Sequence, residues 1–275
     1  MSKQFISVFV VLFMLSSAAF TQKSIKGLVN AEKSFASFTD AHSIRDGFLQ
    51  FMDSAGIVFR DGAAVNALDA FQKQKPGPGK LSWWPTFAVI SASGDLGFTS
   101  GPFEFRAGSI DDTVSDRGSF SSVWHTTVNG TWKNMLDLGI SYNHKYAGGN
   151  EIQETILSPK TTNNQFEDVL AVDRKFNTDL HAKNSDLVMA SISADCWLNI
   201  DGELPVKGIK PINAALMKLP ETVILGSLSG NISAAGDLAY VYGTVIIGDK
   251  KENYLRGWVY RSDKWQVILQ TIKMK

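Results

Sequence analysis

The chain has 275 residues, with 27 Lys or Arg and 27 Asp or Glu, so its formal net charge is zero. This balance argues against a nucleic-acid-binding protein and against binding to an anionic membrane surface. The single cysteine, Cys196, excludes an intrachain disulfide, and its apolar context DCWLNI is typical of a buried, unreactive thiol.

The first 22 residues predict a secretory signal peptide. Lys3 precedes the apolar run FISVFVVLFML, which is too short to span a bilayer, and the small residues SSAAF follow it. No later stretch reaches the roughly 18 consecutive apolar residues of a membrane helix. We therefore expect a secreted or periplasmic mature protein that does not contact the membrane. Loss of Lys3 leaves 26 basic and 27 acidic residues, a net charge of about −1.

Helical patterns open the mature chain. Residues recur at helical spacing in the series Ile25, Leu28, Glu32, Phe35 and again in Ile44, Phe48, Leu49, Met52, before the β-like run GIVFR. A third helix is predicted in AAVNALDAFQK, with Val65, Leu68 and Phe71 on one stripe, and KPGPGK ends it. Four β-like runs follow: LSWWPTFAVI, LGFTSGPFEF, GSFSSVWHTTV and TWKNMLDL.

The same order occurs a second time. SASGDLGFTSG (91–101) matches SAAGDLAYVYG (233–243), AEKSFA resembles VDRKFN, and Trp124 and Trp132 match Trp258 and Trp265. Dispersed matches in a common order predict a tandem duplication. We expect two domains, residues 23–140 and 164–275, joined over 141–163 by a polar linker that contains Gly-Gly and Ser-Pro.

Helices followed by a strand meander predict an α+β fold, with helices packed on one face of an antiparallel sheet. The run LAYVYGTVII is apolar on both faces: Leu238, Tyr240 and Ile246 alternate with Val241, Val245 and Ile247. Because helices cover only one face, we expect the backs of the two sheets to pair within the chain.

This pattern resembles the nuclear transport factor 2-like superfamily, and in particular its SnoaL-like and uncharacterised bacterial branches. SGDLGFTSG, Trp124, NGTW and DLG carry the resemblance in the first copy, and AGDLAYVYG, Trp258 and Trp265 carry it in the second. The resemblance implies two cones, each a strongly curved sheet wrapped round a long helix and enclosing an apolar pocket. The superfamily includes isomerases, cyclases and hydrolases as well as noncatalytic binding domains, so the fold alone selects no activity.

Three residues are candidate catalytic groups, all in the first copy: His125, Asp137 and Glu104. An imidazole oriented by a carboxylate makes a general base near neutral pH, which favours a His125–Asp137 pair. A two-residue type I′ turn at 129–130 would instead pair Asp137 with Ser122 and put His125 on the opposite face, unless a β-bulge shifts the register.

Other interpretations of these acids stay open. Glu104 alternates with phenylalanines in PFEFR, which is also typical of a solvent-facing strand residue. Asp53 stands where isomerases of the superfamily have an acidic pair, but Ser54 replaces the second acid, so that pattern is broken.

Aromatic and polar residues are candidates for lining a pocket, with core packing as the alternative. They are Trp84, Phe98 and Trp124 in the first copy and Tyr240, Tyr242, Arg256 and Trp258 in the second. We expect no metal, because the four histidines lack ligand spacing, and no cofactor, because the chain has neither a phosphate loop nor a G-x-S-x-G elbow.

The leading hypothesis is a secreted protein that binds a small apolar or aromatic ligand in a cone pocket. One alternative is a pocket enzyme of isomerase, cyclase or hydrolase type that acts through the first copy. The other is a structural pseudo-dimer that uses the repeat as an interaction surface.

Overall fold

A computed structural model describes residues 23–158 and 162–275. The predicted signal peptide lies outside the described residues. We refer to residues 23–158 as the first cone and to residues 162–275 as the second cone.

The first cone begins with helices and ends with strands. Its elements are α1 (Ile25–Ala41), α2 (Ile44–Phe51), β1 (Met52–Arg60), β2 (Ala63–Asn66), α3 (Ala67–Gln72), β3 (Lys80–Trp83), β4 (Phe87–Ile90), β5 (Leu96–Arg106), β6 (Asp116–Thr126), β7 (Trp132–Ser141) and β8 (Gln153–Ile156). Serine side chains start the first two helices, since Gly27 N–H donates to Ser24 Oγ and Asp46 N–H donates to Ser43 Oγ.

The second cone repeats this plan. Its elements are α4 (Phe166–His181), α5 (Ser185–Ala190), β9 (Ile192–Ile200), β10 (Val206–Lys207), α6 (Ile209–Met217), β11 (Val223–Ile232), β12 (Leu238–Ile247), β13 (Lys250–Arg261) and β14 (Lys264–Ile272).

The two sheets share one topology. The first runs β2-β1-β7-β6-β5-β4-β8, with β3 also paired to β5, and the second runs β10-β9-β14-β13-β12-β11. Adjacent strands are antiparallel except β1–β7 and β9–β14, which correspond to each other, and β4–β8. The predicted α+β fold with two tandem copies is confirmed.

Each sheet has one face toward its helices and one face toward the other sheet. Phe98 and Val123 of the first sheet and Tyr240 and Leu255 of the second belong to one apolar cluster between the sheet backs. The Phe98 and Tyr240 rings pack edge to face, with centroids 6.5 Å apart. The sheet backs therefore form a shared core between the cones.

The two faces of β12 are both buried, but by different partners. Leu238 and Tyr240 contact the first cone, whereas Val241 and Val245 lie in the second cone's own core beneath its helices. Burial of both faces explains why the sequence of β12 has apolar residues on both faces.

Three elements differ from the sequence pattern. LSWWPTFAVI forms two strands, β3 and β4, because Pro85 has no N–H for a sheet ladder. Val65 belongs to strand β2 rather than to the predicted helix, which begins at Ala67. The segment 141–163, expected to be a linker, includes β8, which extends the first sheet beside β4.

The hairpin after β6 differs from the predicted type I′ turn. Thr127 N–H donates to Thr131 O across a three-residue loop, and only Gly130 in this loop has a positive φ, of 78°. A bulge between Val123 and Trp124 offsets the extra loop residue, so the predicted Ser122–Asp137 pairing is confirmed and His125 pairs with Lys133.

Among the described residues, no helix is both long enough and apolar enough to cross a membrane.

Candidate functional site

A cavity of about 150 Å³ opens in the first cone between the helices and the sheet. Its walls are almost wholly apolar, and the lining residues are Phe35, Phe48, Leu81, Trp83, Phe103, Phe120, Asp137 and Gly139. Helices α1 and α2 supply the first two side chains, and the strands supply the rest. Asp137 is the only lining residue with a charged or polar side chain, so it would determine which polar group a ligand can present there.

A second carboxyl group, Glu32 of α1, is fully buried next to this cavity. The indole Nε1 of Trp83 donates to Glu32 Oε1 at 2.6 Å, and the indole Nε1 of Trp124 donates to Oε2 at 2.8 Å. Thr99 Oγ1 also donates to Oε2 at 2.6 Å. Burial raises the pKa of Glu32, although these hydrogen bonds oppose the shift. The structure therefore fixes this acid in one position.

Asp137 lies on β7 directly opposite Ser122 of β6, whose Oγ donates to Asp137 Oδ2 at 2.9 Å. Burial, reinforced by the negative charge of Glu32, raises the pKa of Asp137 to about 7, while Ser122 and Arg60 act in the opposite direction. No described residue donates a hydrogen bond to Asp137 Oδ1. Near neutral pH this group can therefore donate or accept a proton.

In the second cone, the equivalent carboxylate has an internal partner. Asp173 of α4 takes the place of Glu32, and it forms a fully buried ion pair with Arg256, with 2.7 Å between Nη1 and Oδ1. Trp258 Nε1 donates to the same oxygen at 2.9 Å, as Trp124 does to Glu32. The Arg256 guanidinium lies 4.3 Å from the centroid of Phe176 and 4.9 Å from that of Tyr254.

The strand registers show why the two interiors differ. Ser122 pairs with Asp137 in the first sheet, and Arg256 pairs with Gln270 at the corresponding place in the second. Gly139 pairs with Phe120, whereas Ile272 pairs with Tyr254. Two small residues in the first cone thus correspond to two large ones in the second. The cavity lies at Gly139, which has no side chain where the second cone has Ile272, and Ser122, beside Asp137, is smaller than the corresponding Arg256.

The three predicted catalytic residues do not come together. His125 Nε2 lies 2.9 Å from Asp53 Oδ2, and both side chains are partly exposed. Glu104 forms an ion pair with Arg106 at 2.8 Å. Of the three, only Asp137 reaches the cavity, so the hypothesis of a His125–Asp137 pair is wrong in this geometry.

Local contacts lower the pKa of the Asp53 carboxyl group. Burial alone would raise its pKa, but the backbone N–H of Ala55 and the imidazole of His125 outweigh burial, and the pKa is lowered. This hydrogen-bonded pair lies at the start of β1, and neither residue lines the cavity.

The predicted ligand-binding residues divide between two faces. Trp124, Arg256 and Trp258 face the helices and contact the buried acids. Phe98, Tyr240 and Tyr242 belong to the core between the sheets. Burial raises the pKa of Tyr240 to about 12. Trp84 is half-buried after β3 and is absent from the cavity lining. The predicted pocket wall of Tyr240, Tyr242, Arg256 and Trp258 is therefore wrong, because side chains alternate along each strand.

Sequence reasoning did not single out Glu32 or Asp173. The signal was present: an acid stands within the apolar series of the first helix, and AEKSFA aligned with VDRKFN puts the two acids at one position. A charged residue on a buried helix face requires a partner, which makes it informative.

Within 23–158 and 162–275, no group of His, Cys, Asp or Glu is arranged to hold a metal ion. Cys196 is fully buried, and burial raises its pKa, as expected for an unreactive thiol.

No protein-family model matches the chain, and no curated protein matches it. Several solved structures are similar to part of it. A nuclear transport factor 2-like protein of unknown function from Pseudomonas putida is 16% identical over 40% of this chain and 85% of its own, with a TM-score of 0.34. A nuclear transport factor 2-like protein from Cytophaga hutchinsonii is 17% identical over 41% of this chain and 99% of its own, with a TM-score of 0.33.

A third structure, from Nostoc punctiforme, is of a protein of unknown function with a cystatin-like fold. It is 17% identical over 42% of this chain and 95% of its own, with a TM-score of 0.35. Each alignment spans less than half of this chain.

Proposed function

We propose that the first cone binds a small molecule with an apolar or aromatic body and one polar group that contacts Asp137. The observation that carries this proposal is the cavity of about 150 Å³ with one ionisable side chain in an apolar wall. Apolar cavities of roughly this volume admit a single benzene ring in other proteins. The expected signal peptide would place this binding outside the cytoplasm, and N-terminal sequencing of the secreted protein tests that.

The comparison of the cones supports a binding role for the first. Arg256 and Ile272 fill the corresponding space in the second cone, where the charge of Arg256 balances that of Asp173. Selection for stability alone would favour large side chains, such as those of Arg256 and Ile272, at Ser122 and Gly139 as well. The first cone retains an open cavity and two acids with raised pKa values, which is an arrangement that a ligand can use.

Thermal unfolding with single-ring compounds tests the proposal. Benzene, phenol and benzyl alcohol at millimolar concentration are expected to raise the Tm of the protein, because binding to the folded state stabilises it. Gly139→Ile fills the cavity with the side chain that the second cone has, and a Cβ at Gly139 meets only Phe103, at 3.7 Å. This variant is expected to fold and to lose the response.

The matched control is Gly77→Ile, in an open loop where a Cβ meets nothing within 4 Å. It is expected to respond like the unmodified protein. An equal response in the Gly139→Ile variant, or no response to any ring compound, would contradict binding in this cavity.

A second candidate function, acid–base catalysis on the bound molecule, is favoured by the pKa of about 7 at Asp137. A group that titrates near the working pH is the most effective proton-transfer catalyst. Incubation of enolisable ring ketones with the protein in D₂O tests it, because Asp137 would exchange the proton next to the carbonyl. Deuterium incorporation that persists unchanged in the Asp137→Asn variant would rule this function out.

A further inference from the structure

We infer that the polar group of the ligand is an organic cation, either an ammonium or a guanidinium. This inference rests on the proposed binding function and specifies the class of ligand. Three observations carry it: the charges around the cavity, the rings that line it, and the guanidinium that occupies the corresponding place in the second cone.

The charges around the cavity are mainly negative. Asp137 lies in the wall, and the charge of Glu32 on α1 acts on Asp137. Arg60 on β1 is the only positive group among the described residues whose charge lowers the pKa of Asp137, and its guanidinium lies over the ring of Phe71, 5.4 Å from the centroid. A bound cation would relieve the repulsion between the two acids, whereas an anion would increase it.

The second cone shows what such a site accepts. There, one guanidinium ion-pairs with the carboxylate of α4 and lies 4.3, 4.9 and 5.8 Å from the ring centroids of Phe176, Tyr254 and Trp258. Cations at these distances are attracted to the faces of aromatic rings. The carboxylate and the three rings therefore form a cation site within the same fold, and Arg256 occupies it.

The first cone has an acid and three rings at the corresponding positions, without the internal cation, and two of these rings, Phe35 and Phe120, line its cavity. Phe35, Phe120 and Trp124 stand at the positions of the three rings, and Glu32 stands at that of the acid. Ser122 replaces the arginine, and Asp137 adds a carboxyl group where the second cone has the neutral Gln270. The site thus gains negative charge and loses its internal positive charge, so an external cation is the complementary ligand.

Paired probes of one shape separate charge from size. Benzylammonium carries a cation on a single ring, and benzyl alcohol is its neutral counterpart. At pH 8, calorimetric titration is expected to give an affinity about tenfold or more higher for benzylammonium than for benzyl alcohol. At pH 5.5 this ratio is expected to fall, because Asp137 is then protonated.

Two substitutions localise the effect. Asp137→Asn is expected to lower the affinity for benzylammonium about tenfold at pH 8 and that for benzyl alcohol much less, because the Asn amide oxygen still accepts a hydrogen bond from a hydroxyl group. Ser122→Arg supplies the cation of the second cone and is expected to abolish binding of both probes. If Ser122→Arg does not fold, the Asp137→Asn comparison decides alone. Asp111→Asn, at an exposed loop carboxylate, is the control.

The outcomes distinguish the two proposals. Equal affinities for the two probes would overturn the cation inference and leave the binding function standing. If neither probe binds, both the cation inference and the proposed binding function are overturned. A benzylammonium preference that survives Asp137→Asn would place the cation elsewhere and would also overturn the inference.

Discussion

Asp137 connects the candidate site to the stability of the protein. Its pKa is raised to about 7, so the folded state holds the proton more tightly than the unfolded state, in which the pKa is near 4. Stability from this group is therefore fully present below pH 4 and is lost as the pH rises to about 7. Above pH 7 the fold contains a carboxylate that the cavity solvates poorly.

Asp137→Asn is accordingly expected to make the protein more stable at pH 8 than the unmodified chain. The gain is expected to be about 1–2 kcal/mol after allowance for the partial exposure of Asp137, and it should vanish near pH 4. An amide fits here, since Gln270 occupies the same position in the second cone. Urea unfolding from pH 4 to pH 8 measures the effect, with Asp111→Asn as control. A difference that does not depend on pH would contradict the assigned ionisation.

At this scale, the sequence predicted part of the site. Asp137 was among the candidate residues, and its pairing with Ser122 was predicted from a two-residue turn; the pairing is right because the bulge between Val123 and Trp124 offsets the third loop residue. Glu32 was missed because helical periodicity marks a position as buried but does not tell which strand residues face it. That information depends on Trp83 and Trp124, which lie 51 and 92 residues away in the chain.

The turn between β6 and β7 is one residue longer than the corresponding turn between β13 and β14. The second cone uses a two-residue turn at Ser262 and Asp263, both with positive φ, whereas the first uses a three-residue loop with Gly130 at φ 78°. Both pairs have a bulge just before the shared tryptophan, Trp124 or Trp258. Thr126 pairs with Trp132 as Tyr260 pairs with Trp265, so the extra residue is confined to the loop and Asp137 stays opposite Ser122.

Gly130→Ala is expected to destabilise the first cone by about 1 kcal/mol, because a residue with a Cβ pays a steric cost at positive φ. Gly149→Ala, in an open segment with ordinary φ, is the control. Chemical denaturation of the two variants measures the difference. Equal stabilities would mean that the loop relaxes to another turn type.

Element order and fold class followed from the sequence, because periodicity, Gly and Pro report local conformation directly. The predictions that were wrong concern segments whose conformation depends on a neighbouring strand. Val65 fits a helical stripe but extends a strand beside β1, and β8 forms because β4 offers it a free edge. A four-residue segment such as β8 has too few residues to show a pattern of its own.

At the level of the whole molecule, the repeated turns hold the two cones together reciprocally. Asp95 accepts a hydrogen bond from Ala234 N–H at 2.9 Å, and Asp237 accepts one from Ala92 N–H, also at 2.9 Å. Each aspartate also accepts from a serine hydroxyl of its own turn, Ser91 or Ser233. Such an exchange of equivalent contacts is the signature of a two-fold interface.

Asp237→Ala and Asp95→Ala are each expected to lower the free energy of unfolding by about 1–3 kcal/mol, because each leaves a backbone N–H of the other cone without its acceptor. Asp111→Ala is the control. Denaturant titration is the measurement, and losses within about 0.5 kcal/mol of the control would show that these contacts contribute little.

Linking the copies in one chain has a consequence that a symmetric dimer cannot have. In a homodimer every substitution appears in both subunits, so a residue that closes one interior closes both. Here Arg256 and Ile272 complete one interior, while Ser122 and Gly139 leave the other open, and each change occurs once. The second cone, in which Arg256 and Ile272 fill the corresponding space, supports the first cone through their shared interface. The first cone can therefore retain a cavity that lowers its own stability.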